Sequence, residues 1–330
     1  MKVNLLVAFL EYILISFKYH LKYLKILVGC NSLSDFEVVS IEFCSVCNLK
    51  CKYCYLDKKN RPKFLDIAIY EKLLKEICEN KAFRIKIMEW PISGCFFLHP
   101  QYKEIVFLTK KYKEKYSNFS PWIILNDNMM LFDEDKIDFI LKHNIVNQII
   151  CSLDGRNKHS YENMRPNARF ETIIKNINSL IKKNRECKNK VVLQINNGWD
   201  PECATRSFDP LYEEIFRHAD HVTTWSPVDW NESFHTDSPI FNPGKRFCSF
   251  VFESITMSTS GSIIKCCMDL QELTKYGDFT KNNLESILLS NTRKGFLFSM
   301  FTSRRRLIPG CKNCSITYVG QNKLGFNQIG

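Results

Sequence analysis

The 330-residue sequence predicts an α/β protein, an open partial (β/α)6 barrel followed by a small C-terminal cysteine-rich module. Three observations carry this expectation. Between residues 36 and 225, six short β-branched and apolar stretches alternate with stretches of helical periodicity. Such alternation favours parallel strands joined by right-handed crossovers, and six units are too few to close an eight-stranded barrel. After Trp230 the alternation stops, Pro239, Pro243 and Gly244 mark a linker, and cysteines reappear.

Each element has its own signal. Residues 36–43 (FEVVSIEF) form the first strand and run directly into the stretch CSVCNLKCKYCY at 44–55. Asp66 caps a helix whose Ile67, Tyr70, Leu74 and Ile77 recur at helical spacing. The strand at 84–90 precedes a helix at 102–116, and the strand at 121–125 precedes a helix from Asp133 that carries Ile137, Ile140 and Leu141. Residues 146–155 form a strand ending in a turn, followed by a helix at 170–184. Strands at 190–197 and 221–225 flank a helix at 210–219. The expected organisation is an amphipathic helical segment at 1–35, the barrel at 36–230, a linker at 231–247, and the cysteine-rich module with its tail at 248–330. There is no internal repeat and no low-complexity segment.

With 45% hydrophobic and 25% charged residues, the composition is that of a globular protein with a sizeable core. The net charge of +11 is spread over lysine-rich helical faces. No basic stripe interleaved with aromatic residues accompanies it, so nucleic acid is not expected as a partner, and an acidic protein or an anionic surface fits better. Residues 1–16 begin basic and apolar, but Glu11 interrupts the run and no small-residue cleavage site follows. The run is also shorter than the roughly 20 residues of a membrane span. Together with FKYHLKYLK, residues 1–29 suit an amphipathic helix that either packs across one end of the domain or contacts a membrane surface peripherally. The chain is expected to be cytoplasmic.

Fifteen cysteines in a chain of this length, mostly clustered, point to metal or redox work and not to a disulfide framework. Cys47, Cys51 and Cys54 form a C-x3-C-x2-C set on the loop after the first strand, where parallel α/β folds place their chemistry. Three thiolates can hold three irons of a cubane [4Fe–4S] cluster and leave the fourth iron open. Zinc would be left incomplete by three ligands at this spacing with no histidine nearby. Cys44 lies outside the triad and reads as a buried cysteine at the strand end.

The triad, with aromatic Tyr53 before its last cysteine, resembles the defining motif of the radical S-adenosylmethionine (SAM) superfamily. The resemblance covers nearly the whole chain. It implies a partial TIM-like barrel and a cluster whose open iron binds SAM. Reductive cleavage then releases methionine and a 5′-deoxyadenosyl radical that abstracts a substrate hydrogen. The family's Gly-Gly-Glu-Pro segment corresponds to Ser93, Gly94, Cys95 and Phe96, which lack the glutamate and proline. The backbone acceptors that receive the cofactor's amino group survive that change. The family's Thr-Asn-Gly segment corresponds to the altered NDNMML, beginning at Asn126. Ser152 and Arg165 match positions that approach the cofactor's ribose and carboxylate, and a guanidinium suits the latter. Asp154 is expected to fix a turn. Asn196 or Asn197 reaches the ribose or adenine on this reading. The SAM contacts implied are therefore Tyr53, Ser93, Gly94, Asn126, Ser152, Arg165 and Asn196.

The later cysteines run Cys248, Gly261, Cys266, then Cys311-Lys312-Asn313-Cys314. By themselves they describe either a zinc ribbon or a four-thiolate iron–sulfur site. Their arrangement is similar to the SPASM extension of the superfamily, and to its single-cluster form, twitch. That similarity implies one auxiliary cluster held by Cys248, Cys266, Cys311 and Cys314, with Cys267 the alternative to Cys266. Two [4Fe–4S] clusters are thus expected, the second assisting oxidation or modification of a small polar molecule or a peptide. A flavodoxin or ferredoxin is the expected electron donor, and both are acidic. Only 46 residues precede Cys47, against the roughly 80 to 100 of a leader-binding domain that could fold alone. This tilts the expectation toward a small molecule, or a peptide presented by another protein. The other function class compatible with the altered segments is an iron–sulfur or zinc protein that binds or transfers electrons without catalysis.

Overall fold

Alternating strand and helix signals resolve into one nine-stranded sheet in a computed structural model. It describes residues 17, 20–25, 33–54, 56, 62–198, 207–225, 248, 250–302 and 307–311. The strands are β1 (Val38–Ile41), β2 (Ile87–Trp90), β3 (Trp122–Asp127), β4 (Gln148–Ser152), β5 (Val192–Gly198), β6 (His221–Trp225), β7 (Ser254–Met257), β8 (Ser262–Ile264) and β9 (Lys275–Asp278). Their order is β6-β5-β4-β3-β2-β1-β7-β8-β9. All pairs from β6 to β1 are parallel, as the βα alternation requires. β7 adds to β1 in parallel, and β7 to β9 continue antiparallel. The cysteine-rich region therefore extends the barrel sheet at its first strand.

The helices cover one face. They are α1 (Ile67–Glu79), α2 (Tyr102–Lys115), α3 (Glu134–His143), α4 (Lys158–Met164), α5 (Phe170–Glu186), α6 (Pro210–His218), α7 (Phe250–Glu253), α8 (Leu284–Leu288) and α9 (Asn291–Phe301). Asp66 and Asp133 cap α1 and α3 through their side chains, and Asp209 caps α6, where Pro210 takes the first helical position. The sequence reading did not separate α4, whose start is a capping box between Asn157 and Ser160.

Strand alternation sorts side chains onto two faces. Val39, Met88, Ile123, Leu125, Ile149, Leu193 and Ile195 point toward the helices and are at most 2% exposed. The intervening residues point into the barrel, and several of them, including Glu89, Asn126, Ser152 and Asn196, stay half-buried. The barrel interior is thus partly open to water.

At the N-terminal side, residues 20–25 are helical. Tyr23 is buried and Lys22 bridges to Glu253, whereas Leu21 and Leu24 are exposed. Among the described residues no helix is long and apolar enough to cross a membrane. The linker 231–247, the tail from 312 and most of residues 1–32 lie outside the described residues.

Candidate active site

Four consecutive strand ends deliver the site. The loop after β1 brings Cys47, Cys51, Tyr53 and Cys54, the loop after β2 Ser93 and Gly94, the end of β3 Asn126 to Asn128, and the end of β4 Ser152. With Arg165 they line one cavity of about 210 Å³. The triad and six of the seven predicted cofactor contacts therefore meet. Asn196 is not in that lining; it sits on β5, where its Oδ1 accepts from Gln194 at 2.7 Å. Neighbouring Asn197 is buried and donates to the carbonyls of Leu153 and Gly155, which makes it a brace of the β4 turn.

Gly94 explains itself by sterics. Its φ is +68°, and a Cβ there would lie 2.3 Å from the Cys44 carbonyl oxygen and 2.7 Å from that of Val46. The Cys95 N–H donates to the Val46 carbonyl at 3.0 Å, so the β2 loop lies backbone to backbone on the cysteine loop. Ser93 Oγ donates to Glu42 at 2.7 Å, and the other Glu42 oxygen accepts the Thr259 N–H at 3.1 Å. Thus Glu42 links the β2 loop to the β7–β8 turn.

Asp154 does more than fix a turn. Fully buried, it accepts from Arg165 Nε at 2.5 Å, from the Tyr53 hydroxyl, and from the Gly198 N–H at 2.7 Å. Its backbone carbonyl accepts from Tyr212 at 2.6 Å. The guanidinium carbon lies 5.6 Å from the centre of the Tyr53 ring. One carboxylate thus holds both the aromatic residue of the cysteine motif and the arginine expected at the cofactor carboxylate. Nearby Asp and Tyr groups hold the Arg165 guanidinium firmly charged against its burial.

The thiols differ in character. Burial pushes the Cys51 thiol up, and Arg165 opposes that shift. Cys47 Sγ receives the Leu49 N–H at 3.4 Å and Asn128 Nδ2 at 3.7 Å, contacts of the kind that tune a ligated sulfur. Cys44 is 0% exposed, and burial, with Glu42 and Cys47 adding to it, pushes its thiol up to about 12. It is a neutral core residue. Asn128 and Leu270, which also lines the cavity, were not singled out from sequence. Asn128 stood in the quoted polar segment, while nothing local marks Leu270.

In the C-terminal region Cys266 lies at the end of β8, in electrostatic reach of Cys248, Cys267 and Cys311. Gly261, at φ +75°, turns the β7–β8 hairpin as expected. Buried Lys265 binds Asp269 at 3.3 Å and the Pro309 carbonyl at 2.7 Å, tying the hairpin to the segment that carries Cys311. Cys314 lies outside the described residues. The triad's three thiols, with the N–H groups directed at Cys47 Sγ, suit three corners of a cubane cluster. A second hollow of about 230 Å³, lined by Asn184, Arg185, Lys190 and His218, carries none of these motifs.

The comparisons agree with this geometry. Residues 41–202 match the family model described as the radical SAM superfamily, and residues 248–315 match SPASM, an iron–sulfur cluster-binding domain. No curated protein matches the chain. Among solved structures, anSMEcpe with bound AdoMet is similar at 16% identity and a TM-score of 0.60, covering 84% of this chain and 88% of that one. BtrN in complex with AdoMet and 2-DOIA gives 13% and 0.54, covering 84% and 92%. Streptococcus suis SuiB bound to precursor peptide SuiA gives 14% and 0.56, covering 93% and 77%. At these identities the likeness shows the fold. The two family models, placed on the two cysteine regions, bring a [4Fe–4S] cluster, SAM and a further iron–sulfur centre as cofactors. The chain belongs to the radical SAM superfamily and carries a SPASM-type domain.

Proposed function

We propose that this chain is a radical SAM oxidoreductase or maturase that modifies a small polar molecule or a peptide, with Cys47, Cys51 and Cys54 holding the catalytic cluster. Such a cluster, when bound, would supply the electron for reductive cleavage of SAM. The observation that carries the reading is the cavity in which the triad, Tyr53, Gly94 and Arg165 converge.

The chain's own residues then have distinct tasks. Arg165 offers its remaining N–H groups to the cofactor carboxylate while Asp154 holds its Nε. Tyr53, tethered to the same carboxylate, walls the cavity. Gly94 permits the close backbone approach of the β2 loop to the cysteine loop at the cavity wall. Asn126 and Ser152 line the wall toward the barrel interior. Cys248, Cys266, Cys311 and Cys314 would hold the auxiliary cluster, which would supply an electron acceptor. The relatives' bound AdoMet, 2-DOIA and precursor peptide support a substrate of either size. A net charge of +11 suits docking of an acidic flavodoxin or ferredoxin.

The test is anaerobic reconstitution, followed by measurement of 5′-deoxyadenosine after SAM and dithionite are added. Wild type and Cys44→Ala should form it, and Cys51→Ala should not. A wild-type chain that loads zinc instead of iron, or forms no 5′-deoxyadenosine, defeats the reading.

A further inference from the structure

The barrel interior holds a polar row that the site above does not use. Across the sheet, Thr256 of β7, Ser40 of β1, Glu89 of β2, Ile124 of β3 and Gln148 of β4 stand side by side. Directly paired residues share a face, so all of these point inward. Part of the lumen satisfies itself: Trp122 donates to Gln148, Gln148 to Gln194, and Gln194 to Asn196 and Thr223.

Two members of the row do not. Among the described residues the only hydrogen bond to the Glu89 carboxylate comes from Ser40 Oγ, at 2.5 Å. No Lys, Arg or His among the described residues pairs with it, and burial pushes its carboxyl up. Yet the side chain is only half-buried, because the lumen reaches it. Thr256 Oγ1 is buried and has no hydrogen-bond partner among the described residues. Carboxylates this deep normally have a cation beside them, since desolvation without one is costly. Glu89 stands two residues before Pro91, which lines the active-site cavity. At about 3.3 Å per residue, that is about 7 Å below it.

We propose that Glu89 and Thr256 form a recognition floor in the barrel for a primary ammonium group of the substrate. The ammonium supplies the missing counter-charge to Glu89 and donates to Thr256, and the carbon to be attacked lies about 7 Å above, at the cavity. This rests on reading the barrel mouth as the site of radical chemistry. The ammonium can belong to a lysine side chain of a peptide or to an amino group of a small polar molecule.

Two probes separate these sources, Nα-acetyl-lysine-N-methylamide and glucosamine, each compared with its N-acetylated counterpart. Binding is measured calorimetrically on the reconstituted full chain with SAM present. At least one amine should bind while its acetylated form does not, and Glu89→Gln should weaken it about tenfold or more. Dithionite-driven SAM cleavage without probe should be unchanged in that variant. Equal amine affinity in wild type and Glu89→Gln, or no amine binding by a wild type that cleaves SAM, overturns the floor. Should Glu89→Gln fail to load its clusters, Thr256→Val takes its place: a several-fold loss supports the floor and unchanged binding overturns it. Amine binding by a chain that cannot cleave SAM keeps the floor and defeats the proposed function instead.

Discussion

Replacing Asp154 with Asn tests whether one buried carboxylate organises the site. In the wild type its side chain is 0% exposed and that of its partner Arg165 7%. Asn keeps the shape and can still accept from the Gly198 N–H, but the charge is gone and Arg165 is left buried without a counter-ion. Removing one partner of a buried pair costs about 3–5 kcal/mol. At about 2–4 °C per kcal/mol for large domains, the melting midpoint should fall on the order of 10 °C. Arg165→Met should cost a similar amount by stranding Asp154. The double variant leaves no unpaired charge at this pair, so its loss should be well below the sum, with a coupling of about 2 kcal/mol or more. Anaerobic thermal unfolding of all four proteins, followed by circular dichroism, measures the cycle. A fall below about 2 °C for Asp154→Asn, or strictly additive losses, would refute the clamp.

Three further outcomes follow from single sites. Asp127 has one oxygen accepting the Met129 N–H at 2.6 Å and the other buried without a partner, and burial raises its carboxyl to about 7 from an ordinary 3.8. The folded state therefore holds this proton more tightly than the unfolded chain, so stability is lost as pH rises through that window. Asp127→Asn should gain on wild type from pH 5 to 7.5 by a few kcal/mol in total and then level off; a constant difference rules this out. Gly94→Ala should lose iron from the triad because its Cβ meets fixed backbone carbonyls, while Gly295→Ala, with nothing within 4 Å, should retain iron and stability. Lys265→Met should loosen the Pro309 segment and roughly halve iron content, with SAM cleavage retained; full iron occupancy would show that the tie is dispensable.

The six barrel strands and most of their helices were legible because apolar periodicity and capping residues act between near neighbours in the chain. The cysteine triad proposed to hold the cluster was legible for a related reason, since it is one residue type repeated at a short local spacing. Cys44 was separable from the triad on the same ground, and its burial at the strand end agrees with that. The Asp154 clamp was not legible, because Tyr53 and Arg165 reach it from 101 and 11 residues away. Only the parallel order of β1 and β4 around the barrel mouth brings them together.

From the sequence alone came the alternation of strand and helix and the spacing of the cysteines proposed as cluster ligands, both written in local spacing and side-chain type. The tertiary structure decided the rest. It joined β7 to β1, turned Glu89 and Thr256 into one lumen row, and aimed the Asn128 amide at Cys47. These depend on which strands become neighbours and on which face a residue lands, and a free-energy minimum over the whole chain sets both.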